Sequence, residues 1–130
     1  VKIFIDERDF TRWVLKEARA RYWLAAHPGN IQLRRRPGGE SFPVADKDAA
    51  GLPDLILVHA NFGIVWAELK MPDKAGRLGR LRDEQVIWLQ TLREAGERVY
   101  VWGPSDQREI EDILDGAAAS KSRLFDEAEL

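Results

Sequence analysis

An α/β fold, a mixed β-sheet flanked by α-helices, is what this sequence predicts, and three stretches predict it. Between Asp6 and Ala26 apolar residues recur at three- and four-residue steps among charges, the pattern of an amphipathic helix. Leu55-Ile56-Leu57-Val58 and Ile64-Val65-Trp66-Ala67, separated by His59-Ala60-Asn61-Phe62-Gly63, form a β-hairpin signature. A helical stretch from Asp83 to Ala95 then runs directly into the strand-like Arg98-Val99-Tyr100-Val101-Trp102. With 130 residues, no internal repeat and no interdomain linker, the chain is expected to form one domain over 1–116, followed by a tail over 117–130 that is weakly ordered or contacts a partner.

The first helix carries Phe10, Trp13, Val14, Ala18, Tyr22 and Ala25 on its apolar side and is expected to end at His27-Pro28-Gly29. Ile31 and Leu33 alternate with polar neighbours, so Asn30 to Arg35 is expected as a short strand leading into a loop from Pro37 to Gly51. After the hairpin, Met71 to Leu81 reads as a connection rich in Gly and Lys/Arg. The second helix turns Gln85, Trp88, Leu89 and Leu92 inward and stops at Gly96, because the position after a helix cap favours left-handed backbone. Gly103-Pro104 makes a turn, and Ser105 is the expected cap of a last helix reaching Leu114 before Gly116.

Composition narrows the chemistry. Zero cysteines and two separated histidines exclude a disulfide framework and a Cys/His zinc site, so any metal would be a hard, oxygen-liganded ion such as Mg²⁺ or Mn²⁺. No apolar run approaches the roughly 20 residues that span a bilayer, and Val1 to Asp6 is too short for a signal peptide. A cytosolic protein with no membrane partner is expected. The net charge of −2 is unevenly spread: Arg34-Arg35-Arg36 forms one basic block, and Lys70, Lys74, Arg77, Arg80 and Arg82 form another against the single acid Asp73. Such runs are commonly solvated surface, yet these two flank the hairpin, where a polyanion would be held.

Within the hairpin, Asp54 precedes the first apolar run and Glu68-Leu69-Lys70 closes the second. If the turn centres on Asn61, Asp54 falls directly across from Glu68, and opposed residues project to one face. Glu68 and Lys70, two apart, share that face. Two carboxylates and an ammonium together suit Mg²⁺ binding and the placing of an attacking water. An Asp followed at a distance by Glu-x-Lys is common by chance, but here a polar Gln85 also sits on an otherwise apolar helix stripe and needs a partner. That partner is either backbone at the core edge or the carboxylate face. Trp13, Trp66, Trp88 and Trp102 are expected in the core, whereas Trp23, near the helix end, is the candidate for stacking on a base or on a partner subunit. His27 and His59 have no catalytic partner in the sequence.

Gly51-Leu52-Pro53-Asp54-Leu55-Ile56-Leu57-Val58, Trp66-Ala67-Glu68-Leu69-Lys70, Gly79-Arg80-Leu81-Arg82-Asp83-Glu84-Gln85 and Leu92-Arg93-Glu94-Ala95-Gly96 with Val99-Tyr100-Val101 resemble the VRR-NUC (virus-type replication-repair nuclease) family of the PD-(D/E)xK nuclease superfamily. The resemblance covers about half the chain densely and the first helix more loosely. It implies a restriction-endonuclease-like sheet and a site in which Asp54, Glu68 and the Leu69 carbonyl bind Mg²⁺, with Mn²⁺ able to substitute. The family's early helical glutamate maps best to Glu7 and second to Glu17. Lys70 would hold the attacking water and offset charge building on the phosphate, and Gln85 would orient the water, Lys70 or a phosphate oxygen. Arg34, Arg35, Arg36, Lys74, Arg77, Arg80 and Arg82 would track the DNA backbone, contacts that position without reading sequence. At Arg82 the chain departs from the family's frequent capping Ser, which loses a helix cap and no catalytic group.

The implied activity is that of a metal-dependent, structure-selective DNA endonuclease of phage or bacterial origin, resembling Holliday-junction resolvases. Those act as homodimers because a four-way junction presents two symmetric strands, and the expected dimer surfaces are the first helix, through Trp13 and Trp23, and the segment from Ile110 to Phe125. An exonuclease or a site-specific endonuclease on the same scaffold is the nearest rival. A non-catalytic DNA-binding subunit and a small interaction domain are the others.

Overall fold

Asp6 starts the fold from extended backbone, its Oδ1 accepting the Asp9 N–H at 2.8 Å and so satisfying one of the unpaired donors at a helix start. The computed structural model describes residues 1–28, 32–35, 37–39, 41–44 and 50–117. They form α1 (Glu7–Ala20), β1 (Leu24–Ala26), β2 (Gln32–Arg35), β3 (Ser41–Val44), β4 (Leu55–His59), β5 (Gly63–Leu69), α2 (Asp83–Glu94), β6 (Arg98–Trp102) and α3 (Gln107–Leu114). A mixed four-stranded sheet of order β1-β4-β5-β6 lies at the centre, antiparallel except where β6 runs parallel to β5. The β5-α2-β6 crossover makes that last pairing parallel.

Both faces of the sheet are covered by helices. Leu55, Leu57, Val65, Ala67, Leu69, Tyr100 and Trp102 pack against Phe10, Trp13, Val14 and Ala18 of α1 and Ile110, Ile113 and Leu114 of α3. On the other face Val99 and Val101 pack with Leu89, and Trp66, Leu78, Leu81 and Leu92 close around them. The second helix ends as expected: Gly96 has φ 92, its N–H reaches the Arg93 carbonyl, and the Glu97 N–H reaches that of Leu92 at 2.9 Å.

Several expectations are corrected. The first helix stops at Ala20 rather than His27, because Tyr22 takes φ 69 and the Trp23 N–H turns back to the Ala18 carbonyl at 3.1 Å. Left-handed backbone costs about 1–2 kcal/mol at such a residue, but the turn buries Trp23 to 2 % exposure, a gain of about 2–3 kcal/mol for a large side chain. It also frees Leu24–Ala26 to pair with Val58, Leu57 and Ile56 along the edge of β4. Trp23 therefore belongs to the core, its Nε1 donating to the Leu114 carbonyl at 2.9 Å, and offers no stacking surface.

The strand expected from Asn30 to Arg35 is present as β2, but it pairs with β3 in a separate two-stranded sheet inside the stretch expected to be loop. Pro43 lies within β3 opposite Leu33; proline cannot donate to a ladder and is tolerated only where a strand edge is open, as in a two-stranded ribbon.

The apolar residues that pointed to dimer surfaces have core roles where they are described: Trp13 is 7 % exposed, and Ile110, Ile113 and Leu114 are fully buried, while the part of the second segment beyond Ala117 lies outside the described residues. Asp106, not Ser105, ties the start of the last helix, accepting the Gly103 N–H at 2.8 Å across a 3-10 turn. Apart from Ala117, the tail expected over 117–130 lies outside the described residues. No helix among the described residues is long and apolar enough to cross a membrane.

Candidate functional site

The β4–β5 register runs from Leu55 opposite Ala67 to His59 opposite Gly63, which centres the turn on Asn61 and sets Asp54 facing Glu68 just beyond the end of β4. Asp54 is held there by its own side chain, Oδ2 accepting the Leu69 N–H at 2.8 Å. The lead-in is pinned from the other side. Gly51 has φ 89, and a Cβ at that position would fall inside the Glu84 backbone, so the chain before Asp54 lies directly on the first turn of α2. Only glycine permits that approach.

The same turn of α2 carries Gln85, which is 6 % exposed and joins three elements. Its Nε2 donates to Glu68 Oε2 at 3.0 Å, while its Oε1 accepts from the Arg82 backbone N–H at 2.8 Å and from Lys70 Nζ at 3.3 Å. The sequence had left its partner as either backbone or the carboxylate face, and Gln85 serves both. It also supplies, from inside the helix, the cap that Arg82 lacks.

Glu68 is a carboxylate at 1 % exposure. Burial pushes it up to about 9, helped by hydrogen bonding to and charge on Asp54 and by the charge of Glu7, with Lys70 pulling the other way. Glu7 is raised by partial desolvation and then by Asp54, again opposed by Lys70. These four groups therefore sit in one electrostatic field, and without a cation beside them Asp54 and Glu68 cannot both ionise cheaply. Glu17, the second choice for the early helical glutamate, pairs with Arg21 at 2.7 Å and does not line the cleft shared by Glu7 and Asp54.

Among the described residues no three His, Cys, Asp or Glu side chains close on one point as a ready-made metal cage. Mg²⁺ does not need one, since it keeps several waters and takes one or two carboxylates. The all-oxygen pair Asp54 and Glu68 is of the kind that could hold that ion, and Glu7 acts on the pair through charge.

Of the expected DNA-contacting residues, Lys74, Arg77, Arg80 and Arg82 do not line the cleft that Glu7 and Asp54 share, although the Arg82 backbone N–H bonds Gln85. All four are exposed on the connection after β5, which is ordered by Asp73 Oδ1 accepting the Ala75 and Arg77 N–H groups at 2.9 Å. Arg77 and Arg80 line a cleft of about 1350 Å³ with Val1 to Phe4, whose lining includes neither Asp54 nor Glu68. Arg34 and Arg35 lie in β2, and Arg36 lies outside the described residues. A second cleft, of about 940 Å³, does reach the site: Glu7 and Asp54 line it together with Arg8, Arg12, Lys16, Arg19 and His27. The sequence reading gave those four cations and His27 no role, although the helical spacing of the cations was there to be read.

No protein-family model, curated protein or solved structure matches this chain.

Proposed function

We propose that this chain is a VRR-NUC-like, Mg²⁺-dependent deoxyribonuclease with a restriction-endonuclease-like fold, a structure-selective endonuclease acting as a homodimer on branched DNA such as a four-way junction. The observation that carries this reading is the hydrogen-bonded path from Glu68 through Gln85 to Lys70, set beside Asp54 at the end of the hairpin. Burying Glu68 against another carboxylate has no structural merit, and a subunit that only bound DNA would gain nothing by turning carboxylates toward a polyanion.

A divalent cation held by Asp54, Glu68 and the Leu69 carbonyl would supply Lewis acidity toward the phosphodiester and a more acidic water. Hydrolysis adds water across one P–O ester bond and builds negative charge on the non-bridging oxygens. The Lys70 ammonium would offset that charge. Gln85 fixes Glu68 and Lys70 relative to each other, so that the carboxylate and the ammonium keep their places when DNA arrives. Lys74, Arg77, Arg80 and Arg82 hold flanking DNA, as do Arg34 to Arg36. The setting for this activity is the cytoplasm of a bacterial or phage-infected cell.

Labelled linear, flap and four-way-junction DNA, each with Mg²⁺, with Mn²⁺ and with EDTA, tests the proposal. Divalent-dependent cuts concentrated on branched DNA support it. Equal cutting of linear ends assigns an exonuclease to the same site, and no cutting with either ion removes the nuclease reading.

A further inference from the structure

α1 buries Phe10, Trp13, Val14 and Ala18 and turns Arg8, Arg12, Lys16 and Arg19 outward, all four exposed. Steps of four, four and three residues put them in one row, about 16 Å long at 1.5 Å per residue. A solvated helix face ordinarily mixes signs, with acids placed to neutralise neighbouring bases. Here two of the three acids of α1 are engaged elsewhere, Asp9 Oδ2 accepting the Ile5 N–H at 3.1 Å and Glu17 pairing with Arg21, and the third, Glu7, stands at the end of the row. Among the described residues none of the four outward cations has an ion-pair partner. Like charges at such spacing repel by a few tenths of a kcal/mol per pair, so the helix tolerates this row at a cost in stability.

The row also has a direction. It forms one wall of the cleft of about 940 Å³ whose end is Glu7 and Asp54, with Leu15 and His27 also lining it. We propose that this row is the track for a nucleic-acid strand, whose phosphates lie along Arg8, Arg12, Lys16 and Arg19 and whose next phosphodiester reaches the Asp54–Glu68 site. At 3.4 Å of axial rise per phosphate, about 16 Å of helix spans roughly five nucleotides of one strand. An acidic peptide would match the row equally in charge, but it would carry nothing for the carboxylate end to act on. This inference rests on the nuclease reading of that end, while its own content is a binding surface that needs no metal.

Fluorescence anisotropy with labelled single-stranded and four-way-junction DNA, in EDTA and across a salt series, tests the track apart from cleavage. Arg12→Ala/Lys16→Ala should weaken binding about 10-fold and reduce the slope of log K against log salt by about 1.4 on single strands, two contacts at 0.7 each. Arg12→Lys/Lys16→Arg should retain the wild-type affinity and slope, because only the charge is needed. Both positions are exposed, so circular-dichroism melting at or slightly above the wild-type temperature is expected, and Lys16→Gln alone reads one contact should the double variant fold poorly. Wild-type affinity and slope in the alanine variant overturn the track, even if the protein cuts DNA. Weakened binding with no cutting by the wild type upholds the track and removes the nuclease reading.

Discussion

Replacing Glu68 by Gln keeps the shape of the side chain and removes its proton, and the consequence for stability can be worked from its position. In the metal-free protein Glu68 is 1 % exposed and is held at about 9, against 4.5 when unfolded. Between those values the folded chain keeps a proton that the unfolded chain has released, so stability falls as pH rises. Each pH unit in that window removes about 1.4 kcal/mol. From pH 5 to pH 8 the wild type should therefore lose about 4 kcal/mol through this one group. Glu68→Gln loses none of it and keeps an oxygen to accept the Gln85 Nε2 bond, so its stability should be nearly flat over the same range. Urea melts in EDTA at several pH values between 5 and 8 measure both slopes. Parallel curves for the two proteins would refute the claim that Glu68 is a buried acid crowded by Asp54.

Gly51→Ala should destabilise by about 1–2 kcal/mol through its left-handed backbone alone, and more because the new Cβ displaces the Glu84 backbone; a fall in Tm accompanied by loss of cleavage is expected, and an unchanged Tm would mean that the loop does not lie on α2. Lys70→Ala should lower kcat about 10²-fold with DNA affinity nearly unchanged, and a variant that only weakens binding would move Lys70 into the phosphate-positioning set. Trp23→Phe should cost about 1 kcal/mol for the lost bond to Leu114 and leave DNA affinity alone, whereas a drop in affinity would return Trp23 to the surface as a stacking residue.

The facing of Asp54 and Glu68 was legible because a hairpin register follows from the turn centre, and Asn61 is that centre. Gln85 was legible because one amide on an apolar helix stripe must find a polar partner, and the site is where it finds three. The end of α1 was not, since the periodicity continues through Tyr22 and Ala25 while a left-handed turn at Tyr22 is set by the burial of Trp23. Nor does local sequence separate Glu7 from Glu17; the Arg21 side chain does so by pairing with Glu17. The core roles of Ile110, Ile113 and Leu114 were not legible for a related reason, because whether they face outward or pack on α1 is decided by the tertiary arrangement. Among the apolar residues left in the open, Leu24, Val58 and Ile64 stand opposite one another in register across β1, β4 and β5.

The most direct test of the central claim is Mn²⁺- and Mg²⁺-dependent cleavage of labelled four-way-junction DNA by the wild type and by Asp54→Asn, prepared side by side. Asp54→Asn keeps the shape of the side chain and removes one of the two charges that would hold the ion. Cleavage by the wild type that requires the ion and is abolished in Asp54→Asn, with folding and metal-free DNA binding intact, is the expected result. Equal cleavage by both proteins, or none by the wild type with either ion, would contradict the assignment of Asp54 and Glu68 as a metal-dependent phosphodiesterase site.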